Sequence, residues 1–161
     1  MSDVEDRGVD DDPLWRFALG FYARPGAAPA CLALQDEAGC DVTLVLWLLW
    51  CAEDGRLLDA GAIAAADARL ARWRAAVIEP LRAARRAMKE ALLPGVETEA
   101  CRGRVKAVEL EAERLALAAL SAMTPEMCSV EADAAVRNLA LYAAHLGREL
   151  PEAAVQALIG V

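Results

Sequence analysis

Asp41-Val42-Thr43-Leu44-Val45-Leu46-Trp47-Leu48-Leu49-Trp50-Cys51-Ala52-Glu53 is the stretch on which the fold turns. It is apolar from 42 to 52 apart from Thr43, and an acidic residue closes each end. An uninterrupted apolar run carries no period that separates a buried strand from a buried helix. Length and leucine content favour the helix. A strand would also need a neighbour to satisfy its backbone groups, and no other segment of the chain reads as a strand. Asp41 is of the type that caps a helix N-terminus, and Glu53-Asp54-Gly55 ends the segment. The run falls far short of the ~20 residues that span a bilayer. It is predicted to be a core helix shielded on nearly all sides.

Upstream, Asp12-Pro13 sets a helix start, with Asp as cap and Pro at the first helical position. Leu14, Phe17, Ala18 and Phe21 then recur at helical spacing up to Arg24-Pro25-Gly26. A short helix is expected over 28–37, carrying Cys31, Leu32 and Leu34 and ended by Gly39.

Downstream, residues 59–66 are alanine-rich and read as a short helix or turn. Leu70, Trp73, Val77, Leu81, Ala84 and Met88 form one stripe, interrupted by Pro80, which is expected to kink or split the helix. Pro94-Gly95 makes a turn. From 97 to about 120 a long helix carries Cys101, Val105, Val108, Ala112, Leu115 and Ala119, a heptad-like seam of small and branched residues. Two such helices about a short turn form an αα-hairpin. Met123-Thr124-Pro125 breaks the chain. Val136, Leu139, Ala143 and Leu146 mark a further helix ending at Gly147, and Pro151 starts a last one to Ile159. The expected fold class is all-α: a single-domain bundle of about six helices over 13–161, preceded by a disordered acidic tail over 1–12.

Composition narrows the function. The chain has 161 residues, a net charge of -8, 57% hydrophobic and 5% aromatic residues. An acidic balance argues against nucleic-acid binding, where phosphate neutralisation supplies most of the affinity. The five cysteines, Cys31, Cys40, Cys51, Cys101 and Cys128, include no C-x-x-C pair, so they are expected to be free thiols in a reducing compartment. With His145 the single histidine, no zinc-ligand spacing can be written; no metal and no cofactor are expected. His145 is expected to bond the last carbonyls of its helix. The acidic N-terminus is the opposite of a secretory signal, and the expected location is cytoplasmic.

Two constellations could bind something. Arg82, Arg85, Arg86 and Lys89 share about 100° of one helix face. Their like-charge pairs are mildly unfavourable, which an anion held by arginine forks would relieve; Arg82 and Arg85 would anchor it. The competing reading is a set of salt bridges to Glu97, Glu99, Glu109, Glu111 and Glu113 across the hairpin. Gln35, Asp36 and Asp41, with tryptophans near in sequence, could line a pocket, although helix capping accounts for Asp41. No catalytic residue is assigned: the chain has no Gly-x-Ser-x-Gly elbow and no phosphate-cradling glycine loop.

Leu14-Trp15-Arg16-Phe17 through Tyr22 and Pro25-Gly26, Cys31-Leu32-Ala33-Leu34-Gln35-Asp36 with Gly39-Cys40-Asp41-Val42, and Trp73-Arg74 followed by Pro80-Leu81-Arg82 and Arg85-Arg86 together resemble a family of small proteobacterial proteins catalogued as a domain of unknown function. The resemblance covers roughly residues 14–89, and its most specific part is the Leu-Gln-Asp to Asp-Val block. Where the family often has Asn, this chain has Thr43. The resemblance implies a helical, bacterial, cytoplasmic protein and supplies no activity or cofactor. The leading expectation is a non-catalytic helical interaction or adaptor protein with a protein partner or self-association. A binder of a small anionic or amphipathic ligand between helices comes second. An enzyme acting on a phosphorylated substrate comes last.

Overall fold

The computed structural model describes residues 12–123 and 129–160. Among them the chain is built from helices: α1 (Pro13–Tyr22), α2 (Ala27–Ala38), α3 (Val42–Glu53), α4 (Ala60–Trp73), a π-helical turn (Arg74–Ile78), α5 (Glu79–Ala87), α6 (Glu99–Ser121), α7 (Ala134–Leu146) and α8 (Glu152–Ile159). The expected acidic tail, the Thr124-Pro125 break and Cys128 lie outside the described residues, apart from Asp12. Asp12 caps α1, its Oδ1 accepting from the amides of Leu14 at 2.9 Å and Trp15 at 3.0 Å.

α3 is the centre of the core. Residues 43–49 and Cys51 are buried, and Val42 and Trp50 are half-buried. Asp41 starts it as expected, with Oδ1 accepting from the Thr43 amide at 2.9 Å and the Thr43 hydroxyl at 2.5 Å. That second bond satisfies the buried Thr43, the one polar residue of the run. Leu14, Phe21, Leu34, Ile63, Leu70, Leu117, Leu120, Leu139 and Leu158 close around α3 from the surrounding helices. Each such side chain contributes about 1.5–3 kcal/mol when fully buried.

The segments expected at 59–66 and 70–88 are one helical body. Asp59 caps it through a 2.7 Å bond from the Ala62 amide, and α4 runs through the π turn into α5. The disturbance expected at Pro80 takes the form of that π turn, just upstream. Pro80 offers no N–H to residue 76 and its ring would strike the carbonyl there; the wider turn absorbs the mismatch without breaking the helix. Of the six-residue stripe only Leu70 is buried, while Trp73 and Ala84 are exposed.

The αα-hairpin expected from the sequence is formed by α5 and α6, but it does not pack through the predicted seam. Of Cys101, Val105, Val108, Ala112, Leu115 and Ala119, only Ala112 is buried. The buried residues of α6 are Glu109, Ala112, Ala116, Leu117 and Leu120, so α6 is rotated to present charged Glu109 to α5. No residue between 79 and 108 is buried. This half of the hairpin is an arm.

A short antiparallel ladder, β1 (Arg56–Leu57) with β2 (Ser129–Val130), was not legible in the sequence. It closes beside Gly55, whose φ of 71° excludes a side chain easily and where a Cβ would meet Glu131 O at 3.2 Å. Buried Asn138 of α7 ties the ladder to the core: Oδ1 accepts from the Leu58 amide at 3.0 Å, and Nδ2 donates to the carbonyls of Arg56 at 3.0 Å and Leu48 at 3.3 Å.

Candidate functional site

The arginines of α5 lie at i, i+3 and i+4 and therefore share a face. Arg82 donates from Nε to Glu109 Oε1 at 3.2 Å and from Nη2 to Glu113 Oε1 at 2.9 Å. Arg85 grips both oxygens of Glu109, with Nη2 at 3.2 Å from Oε1 and Nε bonded to Oε2. Arg86 leaves the hairpin and donates to Asp36 Oδ1 of α2 at 2.8 Å, and Gln35 adjoins Asp36 on the same helix. Arg82 and Arg85 thus meet on Glu109, and Arg86 separately meets Asp36. Lys89 stands apart, exposed beyond the end of α5.

The electrostatics follow from these contacts. Burial alone would raise the Glu109 carboxyl, but the bonds and charges of Arg85 and Arg82 outweigh it and hold it below its usual value. Burial raises the Glu113 carboxyl despite Arg82, and the charges of Glu109 and Asp41 add to the rise. The Arg86 bond lowers Asp36. An anion arriving at Arg82 or Arg85 would compete with carboxylates already seated on their forks.

A second network was missed by the sequence reading. Arg74, at the start of the π turn, donates to Asp41 Oδ2 at 2.6 Å and to Asp67 Oδ1 at 2.6 Å. His145 Nε2 lies 2.9 Å from Asp67 Oδ2. The expectation that His145 bonds its own helix end is therefore corrected: its ring reaches α4, and Gly147 closes α7 in the left-handed region instead. The Tyr142 hydroxyl accepts from the Asp41 amide at 3.0 Å. Asp41 and Asp67 are 26 positions apart and His145 a further 78, so only the tertiary fold reveals the chain of contacts; the lone signal was Arg74 inside the Trp73-Arg74 pair.

Beside the arm lies a groove of about 280 Å³ lined by Arg69, Leu70, Trp73, Leu115, Ala116 and Ala119. Trp73 is 37% exposed there, with its indole N–H donating to the Ala112 carbonyl at 2.9 Å. At the far end of the arm Leu92, Leu93 and Val96 are 60–61% exposed. None of the paired carboxylates lines the groove. Among the described residues no three His, Cys, Asp or Glu side chains cluster as a metal ion would require, and no helix is long and apolar enough to cross a membrane.

Residues 13–120, from α1 to the last turn of α6, match the family described as "Protein of unknown function (DUF2390)". The match spans the groove, the arm and both carboxylate networks up to Glu113, and it stops short of His145. No curated protein and no solved structure matches the chain.

Proposed function

The chain belongs to the DUF2390 family, and we propose that it is a non-catalytic helical interaction protein of the bacterial cytoplasm whose arm, residues 79–108, docks onto a protein partner. The observation that carries this reading is the absence of any buried residue across the arm. Helices are stabilised in proteins chiefly by packing of an apolar face. The arm instead rests on ion pairs, and it holds Leu92, Leu93 and Val96 together in water at its tip. Exposed apolar residues that lie contiguously, rather than singly, mark contact surfaces.

Native mass spectrometry of the protein purified from its own host tests the proposal. The expected result is an assembly heavier than the 17.2 kDa chain, lost when Leu92 and Leu93 are both replaced by Asp. A bare chain with neither protein nor small molecule attached would contradict it.

The groove favours a second reading. Its volume sits at the lower edge of the ~300–1,000 Å³ of ligand sites, and its apolar walls with Arg69 at the rim suit a small amphipathic anion. A small mass adduct on the bare chain, removed by Trp73→Ala, would support that reading over docking. An enzyme acting on a phosphorylated substrate is less well supported, because the arginines that would hold phosphate are paired with Asp36, Glu109 and Glu113.

A further inference from the structure

The seam on α6 has a 4-3-4-3-4 spacing: Cys101, Val105, Val108, Ala112, Leu115, Ala119. That is the a/d pattern of a coiled coil over two and a half heptads. α5 does not cover it, because α5 packs on the adjoining flank through Glu109 and Glu113. Along the arm the seam is open: Cys101 and Val108 are exposed and Val105 is half-buried. On the flank away from α5, Arg104 and Glu111 are both exposed; Glu111 is paired with Arg114 one turn on along the same helix, an exposed i,i+3 pair that a contact from a second copy would have to share. With Val105, Ala112 and Ala119 as the a positions, Arg104 and Glu111 occupy successive g positions.

We propose that this seam pairs with the same seam of a second copy, antiparallel, joining two arms into one four-helix body. The proposal deepens the docking reading above and rests on it. Three observations select this occupant. First, in an antiparallel pair each g position faces a g position. Centred between Lys106 and Ala107, such a pair sets Val105 against Val108 of the other copy, and Arg104 against its Glu111, twice by symmetry. A two-fold interface needs this kind of self-complementarity.

Second, the parallel arrangement would match Arg104 with Glu109, and Glu109 is buried under Arg82 and Arg85. Third, the antiparallel register sets Glu99, where α6 begins, level with Arg114 of the other copy, so the loop at the tip of one arm lies toward the end of the seam that carries Leu115 and Ala119 of the other. Leu92, Leu93 and Val96 then meet the groove of Leu70, Trp73, Leu115 and Ala119. The exposed tip then covers the exposed part of the groove, Trp73 and Leu115.

The test uses the full chain, purified alone, with molar mass measured by light scattering across a dilution series. The expected mass is twice 17.2 kDa at high concentration, falling toward the monomer on dilution. Val108→Asp should yield a monomer with unchanged helix content. Arg104→Glu alone and Glu111→Arg alone should each weaken the dimer at least about tenfold, and the two together should restore it. Within one chain these positions are seven residues apart, about 10 Å along the helix, so the rescue reports a contact between copies.

A wild-type chain monomeric at every concentration overturns the proposal, as does a dimer indifferent to Val108→Asp or a double swap that fails to rescue. Ready formation of a Cys101–Cys101 disulfide between copies would place the arms parallel and overturn it too. If the purified chain is monomeric but leaves its host bound to a different protein, self-pairing fails and the docking reading stands; if it has no protein partner in either setting, both fail.

Discussion

Arg74 donates to one oxygen of the Asp41 carboxylate at 2.6 Å while the other oxygen caps the central helix. One side chain thus fixes where α3 begins and ties that point to the π turn between α4 and α5. The guanidinium is held in its charged form against the cost of burial by Asp41 and Asp67. The arm that starts at Glu79 is therefore aimed by a contact at the edge of the core.

Asp41→Ala should remove both functions. Loss of an N-cap costs about 1 kcal/mol and loss of a charge-assisted bond about 1.5–3 kcal/mol. Asp41→Asn keeps the cap and loses the charge, so it should lie between Ala and wild type. Urea denaturation of the three proteins checks the order; an Asn variant as unstable as the Ala variant would remove the cap from the account.

Leu46 is 2% exposed in the middle of α3. Leu46→Asp should prevent folding, because an unpaired buried carboxylate costs several kcal/mol. The check is a circular dichroism melt, and a soluble, cooperatively melting variant would contradict the central placement of α3.

Glu109 is depressed by its arginines. Its contribution to stability is present above the ordinary carboxylate range, about pH 4, and is lost as pH falls through its lowered folded value. Arg82→Gln with Arg85→Gln should reverse the sign. Glu109, 6% exposed, would be left without its counter-charges, at a cost of about 3 kcal/mol near neutral pH. Its folded value would then lie above the unfolded one, so the variant should regain stability as pH is lowered toward 5. Melting temperatures of both proteins across that range decide it. A double variant as stable as wild type at pH 7 would return the arginines to a ligand-binding role.

Cys31, Cys40 and Cys51 are buried, and burial pushes each thiol up to about 11. Cys101 is exposed. A thiol reagent should therefore modify Cys101 in the native monomer and reach Cys31, Cys40 and Cys51 only on unfolding. Mass mapping after brief labelling checks this.

The sequence showed α3 clearly because its signals were local: a cap, an unbroken apolar run and an acidic stop. Gly39, Gly147 and Pro151 marked helix ends for the same reason. The π turn was not legible, since Pro80 announces a disturbance without saying how the helix absorbs it. The β1–β2 ladder spans two residues on each side, too few to leave a pattern. Asp41 was read as a cap, with a pocket beside Gln35 and Asp36 as the alternative, and its ion pair was not legible because its second oxygen is claimed by a residue 33 positions away. The basic face and the Gln35-Asp36 pair were both visible, but their union through Arg86 and Asp36 depends on how α2 packs beside the hairpin. The α6 seam was visible as a heptad pattern; what the sequence concealed is that α5 takes the neighbouring flank through Glu109 and leaves the seam open along the arm, while Trp73 bonds to it at Ala112.

Amide hydrogen exchange on residues 79–108 tests the role of the arm as an interface most directly. The comparison is between the dilute, isolated chain and the assembly purified from the host. An arm without buried residues of its own should exchange far faster than α3 in the isolated chain, and it should slow markedly in the assembly, together with the groove around Trp73 and Leu115. Equal exchange of the arm in both states, or an arm as protected as α3 in the isolated chain, would contradict the account.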